Sequence, residues 1–308
     1  MGFFFEVLIG GLLSGVLYAL VALGFVLIYK ASGVFNFAQG AMVFFAALTF
    51  VGFQALLPGW TGLEEGSVMV FWLAFILALA SMIVLGILTE KVVLRPLVNQ
   101  PQITLFMATI GLSFLVEGIA QAIWGANVRA LDLGIADEPI GWILDSADMI
   151  VSSFDVFAAA LAGILVAALA LFFQYTKVGR ALRAVADDHQ AALSIGIPLQ
   201  HIWAIVWGVA GFVALVAGLI WGARSGVQFA LTFTALKALP VLILGGFTSV
   251  PGAIVGGLII GASEKLAEVY IGPFVGGGIE GWFPYMLALF FLLVRPEGLF
   301  GEKHIDRV

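Results

Sequence analysis

Long apolar blocks separated by short polar stretches limit the fold of this chain more than any other feature. A helix that crosses a bilayer needs about 20 consecutive apolar residues, and such blocks recur along the whole sequence. With 62% hydrophobic and 10% charged residues, the composition agrees with a membrane protein. We therefore expect an all-α fold, a polytopic transmembrane helical bundle. The predicted spans are Val7–Tyr29, Phe35–Leu57, Val68–Leu88, Ile103–Trp124, Phe154–Phe173, Ile202–Trp221, Leu231–Phe247, Gly252–Tyr270 and Trp282–Val294.

Several of these blocks are short or interrupted by glycine. The sequence therefore predicts eight or nine hydrophobic segments, with re-entrant or broken helices among them. Residues 1–308 are expected to form a single transmembrane domain surrounded by membrane lipid. Small residues spaced four apart, such as Gly11 with Gly15 and Gly257 with Gly261, favour close helix crossings. The tripeptide Ser-Gly-Val occurs at residues 32–34 and again at residues 225–227, which is compatible with two halves of an internal repeat.

Several function classes are disfavoured by what the sequence lacks. It has no cysteine, which removes thiolate catalysis, disulfides and most zinc sites. The net charge of −6 argues against nucleic acid, which attracts a basic stripe. The sequence contains no GxxxxGK[ST], HExxH or GxSxG motif. We expect a protein that is not an enzyme and that has no metal or cofactor of its own.

The charges of the loops predict the orientation. If the spans alternate, the basic loop residues fall on one side, which the positive-inside rule assigns to the cytoplasm. The acidic residues of the other loops, such as Glu64 and Asp137, then lie outside. The N-terminus is therefore predicted outside and the C-terminus in the cytoplasm. The basic residues concerned are Lys30, Lys91, Arg95, Lys177, Arg180, Arg183, Arg295, Lys303 and Arg307.

One long polar run, residues 177–200, keeps a helical pattern between two spans. Its apolar face is predicted to carry Leu182, Ala186, His189 and Leu193, at spacings that share one side of a helix. Gly196 can supply a left-handed cap and Pro198 prevents continuation, so the helix should end near Ile195. Its charges keep it out of lipid. We expect an amphipathic helix on the cytoplasmic membrane surface, where it can meet a soluble partner.

The longest stretch between spans on the other side, residues 125–153, is rich in Asp, Gly and Pro. It is predicted to be an ordered external loop with one short helix. Two interpretations stay open, because such a loop can receive a partner from outside or can simply connect two spans.

Polar side chains inside predicted spans are candidates for a translocation pathway, because each is costly in lipid unless it faces a cavity or a partner. One group, Ser32, Asn36 and Gln39, lies in SGVFNFAQGA, where Gly33 and Gly40 stand on either side of Asn36 and Gln39. This composition suits unwound backbone beside a cavity for a polar, uncharged or zwitterionic solute.

Two charged residues, Glu117 and Lys237, also lie within apolar blocks. They can pair with each other or line an aqueous pathway. Alternatively, each lies near the end of its span and extends to the lipid headgroups.

At several places the sequence resembles a known family. QAALSIG (Gln190–Gly196) is similar to the EAAxxxG loop of ABC importer permeases, with Gln190 in place of the acidic residue. Longer runs resemble the branched-chain amino acid permeases of the LivH type. Thr248 departs from their pattern, since glycine is common at this position. The runs are residues 179–219, 18–42, 236–261 and the terminal VRPEGLFG of residues 294–301.

This resemblance implies a permease subunit of an ABC importer for branched-chain or other hydrophobic amino acids, in the bacterial inner membrane. It also implies a second, LivM-like permease subunit, two cytoplasmic ATPase subunits that bind ATP, and a periplasmic solute-binding protein. The coupling role of the family falls on the 177–200 segment. The residues concerned are Arg183, Asp187, Asp188, Gln190, Ala191, Ala192 and Gly196.

A second class of function shares many of these features. A secondary transporter or channel for a small polar solute would have the same apolar blocks, glycines and buried charges. It would not need a cytoplasmic helix for an ATPase. Copurification with an ATPase distinguishes the two classes.

Overall fold

The structure is a computed structural model and describes residues 2–97, 100–187 and 189–301. Helices dominate, and β-structure in these ranges is confined to two isolated bridges, Arg129 with Val227 and Pro139 with Ser152. The predicted all-α fold is confirmed. The helices are α1 (Gly2–Ser32), α2 (Gln39–Thr61), α3 (Val68–Leu88), α4 (Gln102–Trp124), α5 (Gly141–Ala147), α6 (Ser153–Tyr175), α7 (Lys177–Asp187), α8 (His189–Ser194), α9 (Leu199–Ser225), α10 (Thr234–Lys237), α11 (Leu239–Gly245), α12 (Val250–Tyr270), α13 (Gly272–Val275) and α14 (Phe283–Val294).

In the part of the chain that the structure describes, seven helices are long and apolar enough to cross a bilayer. They are α1, α2, α3 with its continuation to Leu97, α4, α6, α9 and α12. The predicted span Leu231–Phe247 is instead broken into a 3-10 turn (Phe229–Phe233), α10 and α11. Pro240 lies in the first turn of α11, where proline is tolerated but a continuous helix is not.

The last predicted span, Trp282–Val294, is also not a full crossing. Helix α14 has 12 residues. At 1.5 Å per residue it is about 18 Å long, which is shorter than the hydrocarbon core of a bilayer. Two of the nine predicted spans are therefore shorter or broken helical segments, as the glycine-interrupted blocks allowed.

The chain folds into two compact units. Unit 1 consists of Met1–Val26, Gly134–Phe172 and Leu236–Val308, and unit 2 of Leu27–Leu133 and Phe173–Ala235.

In unit 2, α2 packs against α3, α4 and α9. Glycines allow these helices to touch backbone to backbone. A Cβ atom on Gly86 of α3 would lie 3.1 Å from the backbone of Trp207 in α9. The side chains of Phe50, Met82 and Trp207 are fully buried in the core.

In unit 1, α1 crosses α12 through glycines on both helices. A Cβ on Gly11 would meet the carbonyl oxygen of Gly261 at 2.7 Å, and a Cβ on Gly257 would meet the carbonyl oxygen of Gly15 at 2.6 Å. The predicted close crossing at small residues is therefore confirmed. Helix α11 packs on both α12 and α14.

The two Ser-Gly-Val tripeptides of the sequence terminate long helices in the same way. Helix α1 ends at Ser32 and α9 ends at Ser225, and the glycine that follows each is left-handed, with φ of +66° at Gly33 and +77° at Gly226. A residue with a side chain is strained in this conformation, which explains the glycine at both positions.

Candidate functional site

A non-helical segment, residues 33–38, lies in unit 2 beside α9, one of the helices that are long and apolar enough to cross a bilayer. Before the segment, the indole of Trp203 in α9 donates to the carbonyl of Ala31 at 2.9 Å. After it, the carbonyl of Val43 lies against Gly218, further along the same helix. Trp203 and Gly218 are about 22 Å apart along α9 at 1.5 Å per residue. The non-helical residues 33–38 cover part of this distance, and the first residues of α2 cover the rest.

Asn36 and Thr109 satisfy the backbone of this segment. The Oδ1 atom of Asn36 accepts from the N–H of Ala38 at 3.2 Å. The hydroxyl of Thr109, on α4, donates to the carbonyl of Phe35 at 3.0 Å and accepts from the N–H of Phe37 at 3.2 Å. Backbone outside a helix is tolerated at this depth only when its polar groups have such partners. Thr109 was not singled out from the sequence, because one threonine in an apolar helix carries no signal of its own.

The other predicted polar residues of this region are also near the unwound segment. Gln39 is fully buried, and its Oε1 accepts from Asn36 at 3.2 Å. Gly40 lies directly against the carbonyl of Thr232, so that only glycine fits there. The hydroxyl of Ser32 donates to the carbonyl of Ile28 at 2.7 Å and closes the end of α1.

Two buried polar atoms next to this contact have no partner among the described residues. They are Nε2 of Gln39 and the hydroxyl oxygen of Thr232. A buried amide or hydroxyl without a partner is costly, so these atoms mark the place where a polar group from elsewhere would be stabilised.

Glu117 lies in α4 of unit 2 and is buried. Its carboxylate accepts a hydrogen bond from the hydroxyl of Ser113, one turn earlier, at 3.1 Å.

Lys237 forms a different buried cluster, in unit 1, at the break between α10 and α11. Its Nζ atom lies 3.0 Å from Oε1 of Glu264 on α12. The same oxygen accepts from the hydroxyl of Tyr18 on α1 at 3.1 Å. Tyr285 on α14 holds the adjacent backbone, because its hydroxyl donates to the carbonyl of Leu236 at 2.8 Å. Lys237 and Glu117 thus each have a polar partner within their own unit.

The two partners of the ion pair differ in exposure. The side chain of Lys237 is 33% exposed and that of Glu264 only 1%. The second oxygen of Glu264, Oε2, is buried and has no hydrogen-bond partner in the described ranges. The sequence analysis missed Glu264. The available signal was an acidic residue in the middle of the predicted span Gly252–Tyr270, with the same cost in lipid as Lys237.

The predicted surface helix is present as α7 and α8, which lie on either side of Asp188, a residue outside the described ranges. Leu182 and Val185 of α7 are buried and seat it, and α7 contacts α9. Helix α8 ends as predicted. The N–H of Ile197 donates to the carbonyl of Ala192, and that of Gly196 to Leu193, both at 3.0 Å, with Gly196 left-handed at φ +84°. This pair of bonds is the Schellman motif.

The predicted apolar face needs a correction in its second half. Leu193 was expected on the buried side but is 54% exposed, and Ala192 is buried instead. Ala192 and Leu193 are neighbours in α8 and lie about 100° apart around the helix axis, so only one of them can face the rest of the chain. Asp188 lies outside the described residues, as do the side chains of Asp187, His189 and Gln190. Lys303 and Arg307 also lie outside them.

The structure describes the surroundings of four of the residues that are predicted for coupling. Ala191 and Gly196 are exposed, Ala192 is buried, and Arg183 is bonded to the end of α6. The exposed surface of α8 and the turn after it is apolar, with Leu193 and Ile195, the latter 74% exposed.

These features define the class of protein to which the chain belongs. The chain is a multi-pass helical membrane protein with broken helices, polar clusters at membrane depth, and an amphipathic surface segment between two spans. Sequence comparison then gives the family. The family described as "Branched-chain amino acid transport system / permease component" matches residues 7–294, and the chain belongs to it.

Curated relatives agree with this family. The chain is 28% identical to the "High-affinity branched-chain amino acid transport system permease protein LivH" of Salmonella typhimurium, over 99% of this chain and 98% of the relative. It is 27% identical to the corresponding permease protein BraD of Pseudomonas aeruginosa over the same shares. A probable LivH of Methanocaldococcus jannaschii is 26% identical, over 96% of this chain and 92% of that protein. The resemblance to the LivH type is confirmed.

Among solved structures, PsaBC from Streptococcus pneumoniae in complex with Fab is similar to this chain. The TM-score is 0.46 and the sequence identity 14%, with 92% of this chain and 89% of that chain covered.

Proposed function

We propose that this chain is the membrane-spanning subunit of an ABC importer that moves branched-chain or other hydrophobic amino acids inward. The observation that carries the proposal is the family match over residues 7–294, which spans both units and the segment between α6 and α9. The relatives named as LivH and BraD belong to high-affinity branched-chain amino acid systems. The importer would lie in the bacterial inner membrane.

The energy for transport would come from other subunits. The proposed complex contains a second, LivM-like permease subunit, two cytoplasmic ATPase subunits that bind ATP, and a periplasmic solute-binding protein. This chain would bind no nucleotide. The sequence supports this division, because it lacks the glycine-rich GxxxxGK[ST] loop that binds phosphates.

The proposed orientation has the N-terminus outside and the C-terminus in the cytoplasm. Contacts within each unit support alternating spans. In unit 2, the end of α1 at Ala31 lies beside Trp203 at the start of α9. In unit 1, Phe4 at the start of α1 lies 6.3 Å, between ring centroids, from Tyr270 at the end of α12. With alternation, the basic segment from Lys177 falls on the cytoplasmic side.

The surface of α8 would be the docking point for an ATPase. Leu193 and Ile195 are large apolar residues exposed on a segment whose charges keep it at the membrane surface. Exposed apolar residues on such a segment fit a groove of a soluble partner. The acidic residues Asp187 and Asp188 would add directional contacts, and the sequence supports this role through their place beside the QAALSIG motif.

The pathway residues stay those that the sequence predicts, namely Ser32, Asn36, Gln39, Gly40, Glu117 and Lys237. Asn36 and Gln39 would act on the pathway through the unwound segment, whose shape they hold. A segment without helical hydrogen bonds can change shape at lower cost than a continuous helix, which suits a pathway that opens and closes.

The test is reconstitution of the complex from its native membrane through a tagged copy of this chain. We expect an ATPase subunit to copurify, and ATP hydrolysis to rise when a branched-chain amino acid is added with the solute-binding protein. Transport that continues without any ATPase would favour a secondary transporter or channel. Hydrolysis that responds only to unrelated solutes would contradict the proposed substrate class.

A further inference from the structure

Two helices of unit 2, α3 and α9, leave an open groove between them on the surface of the chain. Both helices are long and apolar enough to cross a bilayer. The groove has a volume of about 570 Å³, and its eight lining residues are all apolar or glycine. They include Ile83 and Ile87 of α3, and Ile205, Gly208 and Phe212 of α9. We refer to this feature as the α3–α9 groove.

The contacts beneath the groove show how the two helices are aligned. A Cβ atom on Gly86 would lie 3.1 Å from the backbone of Trp207. A Cβ atom on Gly211 would lie 3.2 Å from the Cβ atom of Met82. A step of four residues back along α3 thus matches a step of four residues forward along α9. The two helices are therefore antiparallel, and the end of α3 lies beside the start of α9.

The groove has a polar end at this place. Lys91 follows Ile87 by four residues, and His201 precedes Ile205 by four, so each lies on the side of its helix that lines the groove. At 1.5 Å per residue, each is about 6 Å beyond the apolar lining. The same alignment places Lys91 at the level of residue 202, which makes it a neighbour of His201. Both side chains are exposed.

The charge at the polar end is positive. Glu90 is the only acidic residue in the sequence of residues 68–97 and 199–225. It is buried, and both of its carboxylate oxygens accept from Arg95, at 3.1 and 2.9 Å. Lys91 has no ion pair within the described ranges. The apolar groove therefore ends at a cation that no carboxylate of the two helices neutralises.

We propose that the α3–α9 groove binds an anionic phospholipid, with an acyl chain along the groove and the phosphate against Lys91 and His201. The acyl chain needs no polar partner, whereas the phosphate is stabilised by an ammonium group and by an N–H donor. The proposal does not rest on the proposed function, because lipid binding requires neither an ATPase nor a transported solute.

A helix of a partner subunit is the other occupant that such a groove can take. The polar end favours the lipid. A helix seated across Lys91 would cover its charge and would need an acidic residue to pair with it, because an unpaired charge in a contact is costly. An anionic phospholipid brings the negative charge and the apolar chain together in one molecule.

The polar end is tested by native mass spectrometry of the purified protein. The probes are dioleoyl phosphatidylglycerol, which is anionic, and dioleoyl phosphatidylcholine, which is zwitterionic. We expect tighter binding of phosphatidylglycerol. Lys91→Gln should weaken that binding about fivefold, the effect of one lysine near anionic headgroups. Lys177→Gln, which removes an exposed lysine of α7, is the matched control and should bind like the wild type. Equal binding by K91Q and the wild type would overturn the proposal.

The apolar part of the groove is tested by filling it. No heavy atom lies within 4 Å of the position that a Cβ on Gly208 would take, so the side chain of Gly208→Leu enters the groove without displacing backbone. We expect G208L to abolish the tight binding of phosphatidylglycerol. Gly118→Leu, at an equally open position of α4 in the same unit, is the matched control. Binding by G208L that equals binding by G118L would overturn the proposal.

The occupant in the assembled complex is identified by photocrosslinking. The chain has no cysteine, so Ile83→Cys attaches a benzophenone maleimide inside the groove alone. After illumination in native membranes, we expect an adduct with a phospholipid, enriched in phosphatidylglycerol relative to the membrane. An adduct with another polypeptide would overturn the proposal, because it would show that a partner helix covers the groove.

Discussion

At the scale of single residues, the ion pair of Lys237 with Glu264 places a buried carboxylate in unit 1 that depends on its partners for stability. Glu264 is almost completely buried, and one of its oxygens relies on Lys237 and Tyr18. Removing one partner of such a pair leaves a buried charge, which costs about 3–5 kcal/mol. Lys237 is one-third exposed, so it can be rehydrated more easily than Glu264. Removing the charge of Lys237 should therefore lower the free energy of unfolding more than removing the charge of Glu264.

We predict that Lys237→Met lowers the free energy of unfolding by about 3 kcal/mol, and that Glu264→Gln lowers it by less. The matched control is Lys265→Met, which breaks the exposed pair between Lys265 and Glu280, at 2.9 Å. That change should cost about 0–1 kcal/mol, as exposed pairs do. Thermal unfolding of the purified protein in detergent measures all three. Equal losses of unfolding free energy in K237M and K265M would show that the buried pair stabilises the protein no more than the exposed pair.

Asn36 and Gln39 are single residues that hold the unwound segment between α1 and α2. We predict that Asn36→Leu and Gln39→Leu reduce solute uptake while the protein still assembles with its partners, because the unwound segment loses the bonds that hold its shape. Uptake in proteoliposomes, with copurification as the control for assembly, measures the effect. Normal uptake by both variants would remove these residues from the pathway.

At the scale of helices, the crossing of α1 and α12 depends on which face of α1 carries a glycine. Gly11 meets the backbone of α12, whereas Gly10, its neighbour, has no atom within 4 Å of its Cβ position. A substitution at Gly11 thus tests the crossing of the two helices, and the same substitution at Gly10 is its control. The difference between them is set only by packing.

We predict opposite signs for two alanine substitutions. Gly10→Ala should stabilise the protein by about 0.5–1 kcal/mol, because alanine restricts the unfolded chain and favours a helix. Gly11→Ala should destabilise it by about 1–3 kcal/mol, because the added methyl group forces the helices apart. Unfolding in detergent measures both. The same sign for the two variants would contradict the close crossing.

The sequence predicts those elements that local patterns determine. Apolar length predicts nine segments, of which seven are helices long enough to cross a bilayer, and Gly196 with Pro198 predicts the end of α8. The partner of Lys237 was not predictable, because Glu264 is brought to it only by tertiary packing, in which α11 lies against α12. The exposure of Leu193 was not predictable either, since it depends on which side of α8 packs against α9. Thr109 was missed because its two hydrogen bonds are to backbone of a distant segment.

At the scale of the whole molecule, the account depends on the surface segment between α6 and α9. Its buried residues, Leu182 and Val185, seat it on unit 2, and its exposed residues, Leu193 and Ile195, face away from the chain. A charged residue at the exposed positions should weaken the docking of a partner without unfolding the protein.

We predict that Leu193→Asp abolishes copurification of the ATPase, because a charge would be buried in the contact. The matched control is Leu144→Asp, which places the same charge on an exposed leucine of the loop between α4 and α6. It should leave copurification unchanged. Retention of the ATPase by L193D would move the docking point away from α8.

The most direct measurement uses Ile195→Cys as the only cysteine of the chain. The account predicts that a membrane-impermeant maleimide labels this cysteine in inside-out vesicles and not in intact cells. Labelling should fall when the ATPase subunits are bound. Labelling in intact cells, or labelling that the ATPase subunits leave unchanged, would contradict the account.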